Sequence, residues 1–158
     1  MKVLLVTTST NSVRTVLEQN VEIELSTIDC NVYGSHTLEM IKRVIKNSNL
    51  DFLITYRCPI VFPKDIFESP RLGAFNIHPS LLPKYSGLNP WEEIFRNHER
   101  KSGVTLHQIT EKVDAGEIVF QYPFIIKKSD TIDSARIKAD QLSAKLALNL
   151  IEYLCCLY

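Results

Sequence analysis

Residues 3–6 of this chain, Val-Leu-Leu-Val, form an unbroken apolar run directly after the first lysine. Successive side chains of a strand point to opposite faces, so a strand that is apolar throughout must be covered on both of them. That requirement predicts a central parallel strand over Lys2–Thr7, and it constrains the fold more than any other feature of the sequence.

The remaining pattern supplies the cover. Asn11 or Ser12 is placed to cap a short helix reaching about Gln19. Val21, Ile23 and Leu25 alternate with Glu22 and Glu24, which predicts a half-exposed edge strand. Ser35 reads as the cap of a helix carrying Leu38, Ile41 and Ile45 on one stripe. Residues 51–55 and 73–78 read as strands, followed by a Pro- and Gly-bearing loop over 79–90. A helix over 91–97 and strands over 103–109 and 117–126 come next. Ile132, Ala135, Ala139, Leu142, Leu146, Leu150, Tyr153 and Leu157 then recur at intervals of three and four, giving one amphipathic helix or two in line. The order β-α-β-α-β-β-α-β-β-α predicts an α/β fold. It is a single-domain, Rossmann-like open sheet with mainly parallel central strands and helices on both faces. With no repeat, linker or low-complexity tract, residues 1–158 read as one domain.

Charge narrows the partners. The 18 basic and 18 acidic residues cancel, so no global field draws the chain to nucleic acid or to an anionic membrane. The apolar run near the N-terminus is too short for a signal-peptide core or a membrane span, which makes a cytoplasmic location the expectation. Cys30, Cys58, Cys155 and Cys156 have no C-x-x-C pairing and no histidine at ligand spacing. Buried, reduced thiols and no metal are therefore expected.

Three stretches carry polar groups suited to chemistry: residues 75–83 (FNIHPSLLP), 103–107 (GVTLH) and 113–118 (VDAGEI). Asn76 and His78 lie two apart in a strand, so they project to the same side. Pro79 lacks a backbone donor and disfavours a helical His78, ending the strand near the carboxyl edge of the sheet, where open α/β sheets hold ligands. Asp114-Ala115-Gly116 is a tight turn able to bring a carboxylate over that same edge. An amide and a protonated imidazole can donate to a developing oxyanion, and a carboxylate can raise the imidazole pKa and relay a proton from an attacking amine. Such a set fits acyl transfer to an amine without a Ser or Cys nucleophile. From spacing alone the favoured reading is the plainer one, that the same residues do no more than satisfy backbone groups at a strand end and a turn.

The runs FNIHPSLLPKYSG and GVTLHQITEKVDAGEIV closely resemble the signature of the folate-dependent formyltransferase superfamily. This superfamily takes in glycinamide ribonucleotide, methionyl-tRNA and amino-sugar formyltransferases. The resemblance runs from about residue 51 to 124 and fits the last helix loosely. It implies a catalytic trio of Asn76, His78 and Asp114, with 10-formyltetrahydrofolate as co-substrate. It also implies a donor pocket made by Tyr56, Arg57, Cys58, Pro59 and Ile60 together with Ile109, Thr110 and Val113. His107 resembles the family's second histidine, expected to orient Asp114 or close the core. His36 and His98 read as surface residues, and Trp91 as packing.

The sequence departs from the pattern after its first strand. Glycinamide ribonucleotide formyltransferases have a glycine-rich turn there that holds a substrate phosphate at a helix N-terminus. Here residues 7–12 read Thr-Thr-Ser-Thr-Asn-Ser, with no glycine. Ser9, Thr10, Asn11 and Ser12, with Asn89 and Pro90, are the residues expected to border the acceptor. The resemblance together with this departure implies formyl transfer to a primary amine of a small acceptor, an amino-sugar nucleotide first. Phosphoribosylglycinamide formylation, formyltetrahydrofolate hydrolysis and non-catalytic folate binding are the alternatives. The stretch between the first and third strands is shorter than usual, and no second domain is expected after the last helix, which disfavours a tRNA acceptor.

Overall fold

The computed structural model describes residues 1–8, 11–20 and 22–157. Its centre is a six-stranded sheet in the order β2-β1-β3-β4-β5-β6. β1 (Lys2–Thr7), β2 (Glu24–Asp29), β3 (Phe52–Tyr56) and β4 (Ala74–His78) run parallel, while β5 (Lys101–Gln108) is antiparallel to β4, and β6 (Ile118–Ile125) to β5.

The apolar run of β1 does what its pattern requires. Val3 and Leu5 pack with α1 (Ser12–Glu18), α5 (Pro90–Arg96) and α6 (Ile132–Leu157) on one face. Leu4 and Val6 pack on the other face with Cys30 of α2 (Cys30–Tyr33), Ile41 of α3 (Thr37–Asn47) and Ile66 of α4 (Lys64–Phe67). All four side chains are fully buried; each such burial stabilises by about 1.5–3 kcal/mol. α6 is one continuous helix whose Ala135, Ala139, Leu146, Ala147, Leu150, Ile151 and Leu154 face the sheet.

Several boundaries differ from those read in the sequence. Val21 lies outside the described residues, and the edge strand is β2 at Glu24–Asp29. It is set there by its register on β1, where Lys2 pairs Glu24 and Thr7 pairs Asp29. Ser35 caps nothing: it sits in a 3-10 turn, Gly34–His36, between α2 and α3, and Thr37 Oγ1 donates to the Gly34 carbonyl instead. α2 and α4, four residues each, are too short to show a hydrophobic period. Tyr153 and Leu157 are exposed, because the buried stripe of α6 passes through Ile151 and Leu154. The cysteines divide too. Cys30 is buried and Cys58 half-buried, but Cys155 and Cys156 are exposed at the end of α6.

Candidate functional site

Residues Thr55, Asn76 and His107 lie side by side on β3, β4 and β5. They form one polar row across the carboxyl end of the parallel strands, on the same sheet face as Ala74. Thr55 Oγ1 donates to Asn76 Oδ1 at 2.7 Å, and Asn76 Nδ2 meets His107 Nε2 at 3.0 Å. The His107 Nδ1–H donates to the Gln108 carbonyl at 2.8 Å. That bond fixes the tautomer, so Nε2 accepts from Asn76. Among the described residues the second Asn76 N–H has no hydrogen-bond partner.

His78 ends the same strand face and is buried. Its Nε2–H donates to the Tyr85 carbonyl at 2.8 Å. The loop after β4 is held by its own bonds: Ser80 Oγ donates to the Lys84 carbonyl at 2.7 Å, and Thr105 Oγ1 to the Ser80 carbonyl at 2.6 Å. His78 Nδ1 lies 3.4 Å from Asp114 Oδ2, whose other oxygen is 3.5 Å from His107 Nε2. The Gly87 N–H donates to Asp114 Oδ2 at 2.7 Å. Asp114 has φ +53°, a left-handed conformation that Asp tolerates better than most side chains. Gly116 lets this loop close on β5: a Cβ there would sit 1.9 Å from the Gln108 carbonyl oxygen.

Charge in this cluster differs from the expectation of a protonated His78. Burial lowers the His78 pKa by more than the Asp114 carboxylate raises it, and the imidazole sits below its ordinary value. Burial works to raise the Asp114 pKa but is outweighed by His107, the Gly87 N–H and His78, leaving the carboxyl below its usual range. At neutral pH the Asp114 carboxylate therefore faces an unprotonated Nδ1, lone pair to lone pair. The pair is one proton short of a charge-assisted hydrogen bond.

Above this cluster opens a cleft of about 640 Å³, within the range of small-molecule sites. Asn76, His78 and Asp114 line it, and so do Tyr56, Arg57, Cys58, Pro59, Ile60, Ile109, Thr110 and Val113, with Asn89 and Pro90. Arg57 has φ +55°, and Thr8 Oγ1 and Thr7 Oγ1 hold the backbone carbonyls of Arg57 and Tyr56 at 3.2 and 2.7 Å. The Tyr56 ring is buried in the core, and burial together with the Asp140 carboxylate pushes its phenol pKa well above the ordinary value.

Ser9 and Thr10 lie outside the described residues. Asn11 and Ser12, expected at the acceptor, are not part of the cleft lining. Asn11 Oδ1 caps α1 by accepting from the Arg14 N–H at 3.0 Å, and its Nδ2 donates to Thr7 Oγ1 at 2.8 Å. The Ser12 N–H donates to Asp140 Oδ2 at 3.1 Å, and its hydroxyl binds the same oxygen. A carboxylate from α6 thus stands at the N-terminus of α1. Thr55 and Arg136 are among the neighbours that the sequence did not reveal. Thr55 reads as an ordinary strand residue, and Arg136 reaches the cleft only through the packing of α6. His36 and His98 are exposed as expected, and Trp91 is core, with its ring 6.3 Å from that of Phe124. Among the described residues no cluster of three His, Cys, Asp or Glu is suited to hold a metal, and no helix is long and apolar enough to cross a membrane.

A polar row at the carboxyl edge of the sheet, under a loop-walled cleft, is the place where proteins of the open α/β class hold their ligands. The formyl transferase family model matches residues 2–150, and the chain belongs to that family. Over 84 residues it is 42% identical to the bifunctional polymyxin resistance protein ArnA of Wigglesworthia glossinidia brevipalpis, covering 53% of this chain and 13% of that one. It is 32% identical over 117 residues to the methionyl-tRNA formyltransferase of Thermotoga maritima, covering 69% of this chain and 37% of that one. The chain thus matches well under half the length of these relatives. The crystal structure of phosphoribosylglycinamide formyltransferase from Bacillus halodurans has the same fold, with a TM-score of 0.76 at 20% identity, covering 92% of this chain and 91% of that one.

Proposed function

We propose that residues 1–158 form a catalytic domain that moves a formyl group from 10-formyltetrahydrofolate to a primary amine of a small acceptor, foremost an amino-sugar nucleotide. The observation that carries this is the convergence of Asn76, His78 and Asp114 at the floor of one cleft. The cleft fits the donor. Ile60, Ile109 and Val113 offer apolar cover for a flat ring, and the backbone of residues 56–60 offers donors and acceptors for its amide-like edge. When bound, the donor supplies an electrophilic carbonyl carbon.

The protein's own groups divide the remaining work. The free Asn76 N–H stabilises negative charge developing on the formyl oxygen. His78 Nδ1 and Asp114 together take up the proton that the attacking amine must lose, and that proton converts their lone-pair contact into a charge-assisted bond. When the bond from the formyl carbon to the donor nitrogen breaks, the pair returns the proton to that nitrogen and tetrahydrofolate leaves. His107 positions Asn76, accepting its N–H at 3.0 Å while its own Nδ1–H is tied to the Gln108 carbonyl.

The acceptor preference is supported by Asp140. Its carboxylate stands where a phosphate at the N-terminus of α1 would sit, and it would repel one. Arg57, Lys112 and Arg136 line the cleft elsewhere and suit an anionic acceptor approaching from its mouth. The test is release of tetrahydrofolate from 10-formyltetrahydrofolate with and without amino-sugar nucleotides and glycinamide ribonucleotide. Amine-dependent release supports transfer. Amine-independent release identifies a hydrolase, no release a binding protein, and a preference for glycinamide ribonucleotide overturns the acceptor assignment.

A further inference from the structure

Two thiols meet behind one wall of the cleft. Cys30, 6% exposed, sits where β2 runs into α2. Cys58 lines the cleft, between Arg57 and Pro59. Their sulfurs are 3.3 Å apart although 28 residues separate them in sequence. Both belong to the same apolar cluster beneath α3 and α4. Either thiol can donate across this contact, and the neighbouring Cys58 thiol holds Cys30 below its ordinary pKa. The Ile60 N–H is directed at Cys58 Sγ, so a movement of that sulfur passes to the loop backbone. The residue before it, Arg57, already has a positive φ.

We propose that Cys30 and Cys58 are a reversible disulfide site that closes under a low-molecular-weight disulfide and withdraws the wall at residues 56–60 from the cleft. Bringing the sulfurs from 3.3 Å to bonding distance, about 2.0 Å, needs only a small local shift. That shift draws Cys58 toward the buried side, out of the cleft. The exchange has two steps. Cys58 Sγ attacks one sulfur of the small disulfide: a Cys58–S–S–R bond forms, the R–S–S–R bond breaks, and one small thiol leaves with the Cys58 proton. Cys30 Sγ then attacks Cys58 Sγ: the internal bond forms, the mixed disulfide breaks, and the second small thiol leaves with the Cys30 proton. Two protein thiols are oxidised and one small disulfide is reduced to two thiols. Cys58 is the entry point because it alone of the pair opens to the cleft. The contact with Cys30 and burial push its thiol pKa up, so the first exchange is slow and speeds up as pH rises.

The bond itself is independent of the formyl-transfer reading, whereas its effect on donor binding rests on that reading. The experiment uses the full chain carrying Cys155→Ser and Cys156→Ser, treated with oxidised glutathione and followed by intact mass, peptide mapping and binding of 5-formyltetrahydrofolate. The expected product has lost two hydrogens, carries a Cys30–Cys58 cross-link and binds 5-formyltetrahydrofolate about 10- to 100-fold more weakly, the scale on which ångström displacements of a site act. Dithiothreitol restores binding. Adding Cys30→Ser, or Cys30→Ala if the serine misfolds, leaves reduced binding unchanged and traps a glutathione adduct on Cys58. A stable adduct in the protein with both thiols, or no cross-link, overturns the disulfide. A cross-link without loss of binding overturns the withdrawal of the wall. If the reduced protein fails to bind 5-formyltetrahydrofolate, the donor reading fails, and the mass result still decides the bond.

Discussion

His78 Nδ1 stands 3.4 Å from Asp114 Oδ2 while its Nε2–H is engaged by the Tyr85 carbonyl. The imidazole has one nitrogen left to titrate, and that nitrogen faces a carboxylate. Burial nevertheless keeps the ring neutral at neutral pH, with its pKa below the ordinary histidine value. The proton-accepting role proposed for the pair calls for this state.

The acid limb of the rate profile follows from that geometry. Activity should fall as pH drops through the apparent pKa of the His78–Asp114 pair, below the ordinary histidine value of about 6.5. Stability should move the same way. The unfolded imidazole takes its proton near pH 6.5, the folded one only lower, so acidification favours the unfolded chain between those two values. Urea midpoints measured across this window should show the slope, and His78→Gln should remove most of it. A rate limb above the ordinary histidine value would contradict the assignment.

Asp114→Asn keeps the shape and removes the charge that raises the His78 pKa. The imidazole should therefore titrate lower still, measurable by NMR. Turnover should fall by about 10²–10⁴-fold, the scale of general acid–base catalysis. Asn76→Ala should cost about 10²–10³-fold as the loss of one oxyanion donor. In the double variant the losses should not add, since both groups act on one reacting centre. Single-turnover rates of the three variants decide this, and a near-normal rate in Asp114→Asn makes Asp114 only a turn residue.

Asp140→Ala should cost about 1–3 kcal/mol of stability, the range for a hydrogen bond to a charged group lost from a partly buried site. The Ser12 N–H and hydroxyl both lose their acceptor, and α1 loses a carboxylate at its positive end. Denaturant unfolding measures the loss; a change under about 0.3 kcal/mol would mean the contact contributes nothing, as many exposed pairs do.

How far the sequence revealed this site depends on the distance over which each feature is set. Asn76 and His78 were legible because strand alternation and Pro79 act within four residues. The buried run of β1 and the long helix α6 were legible for the same reason. The neutrality of His78 was not, because it depends on burial beneath the folded loop that follows β4. Neither was the Ser12–Asp140 bond, whose partners lie 128 residues apart. The contact of Cys30 with Cys58 comes from the parallel packing of β2, β1 and β3, which no local spacing encodes. Ser35 misled because serine favours a helix start in isolation, whereas here α2 and a 3-10 turn already occupy that ground.

Gly116 separates the shape of the site from its chemistry. The Gln108 N–H donates to the Glu117 carbonyl at 2.9 Å, so the Asp114 loop returns to β5 one residue after Gly116. A Cβ at Gly116 would meet the Gln108 carbonyl oxygen at 1.9 Å and its carbon at 2.7 Å. Both atoms are backbone, so the clash is relieved only by lifting the loop, and Asp114 moves with it. Gly116→Ala should destabilise by about 1–3 kcal/mol, as overpacking does. It should also reduce turnover by about 10²-fold at temperatures where the protein is fully folded, since an ångström of misplacement is enough. Gly34→Ala is the control. Gly34, unlike Gly116, has a positive φ, +49°, but a Cβ there meets nothing within 4 Å. That change should cost roughly 1–2 kcal/mol of strain and leave turnover unaltered. Circular dichroism with initial rates at low temperature distinguishes the two. If Gly116→Ala loses stability but keeps full activity when folded, the position of Asp114 is not set by this close approach.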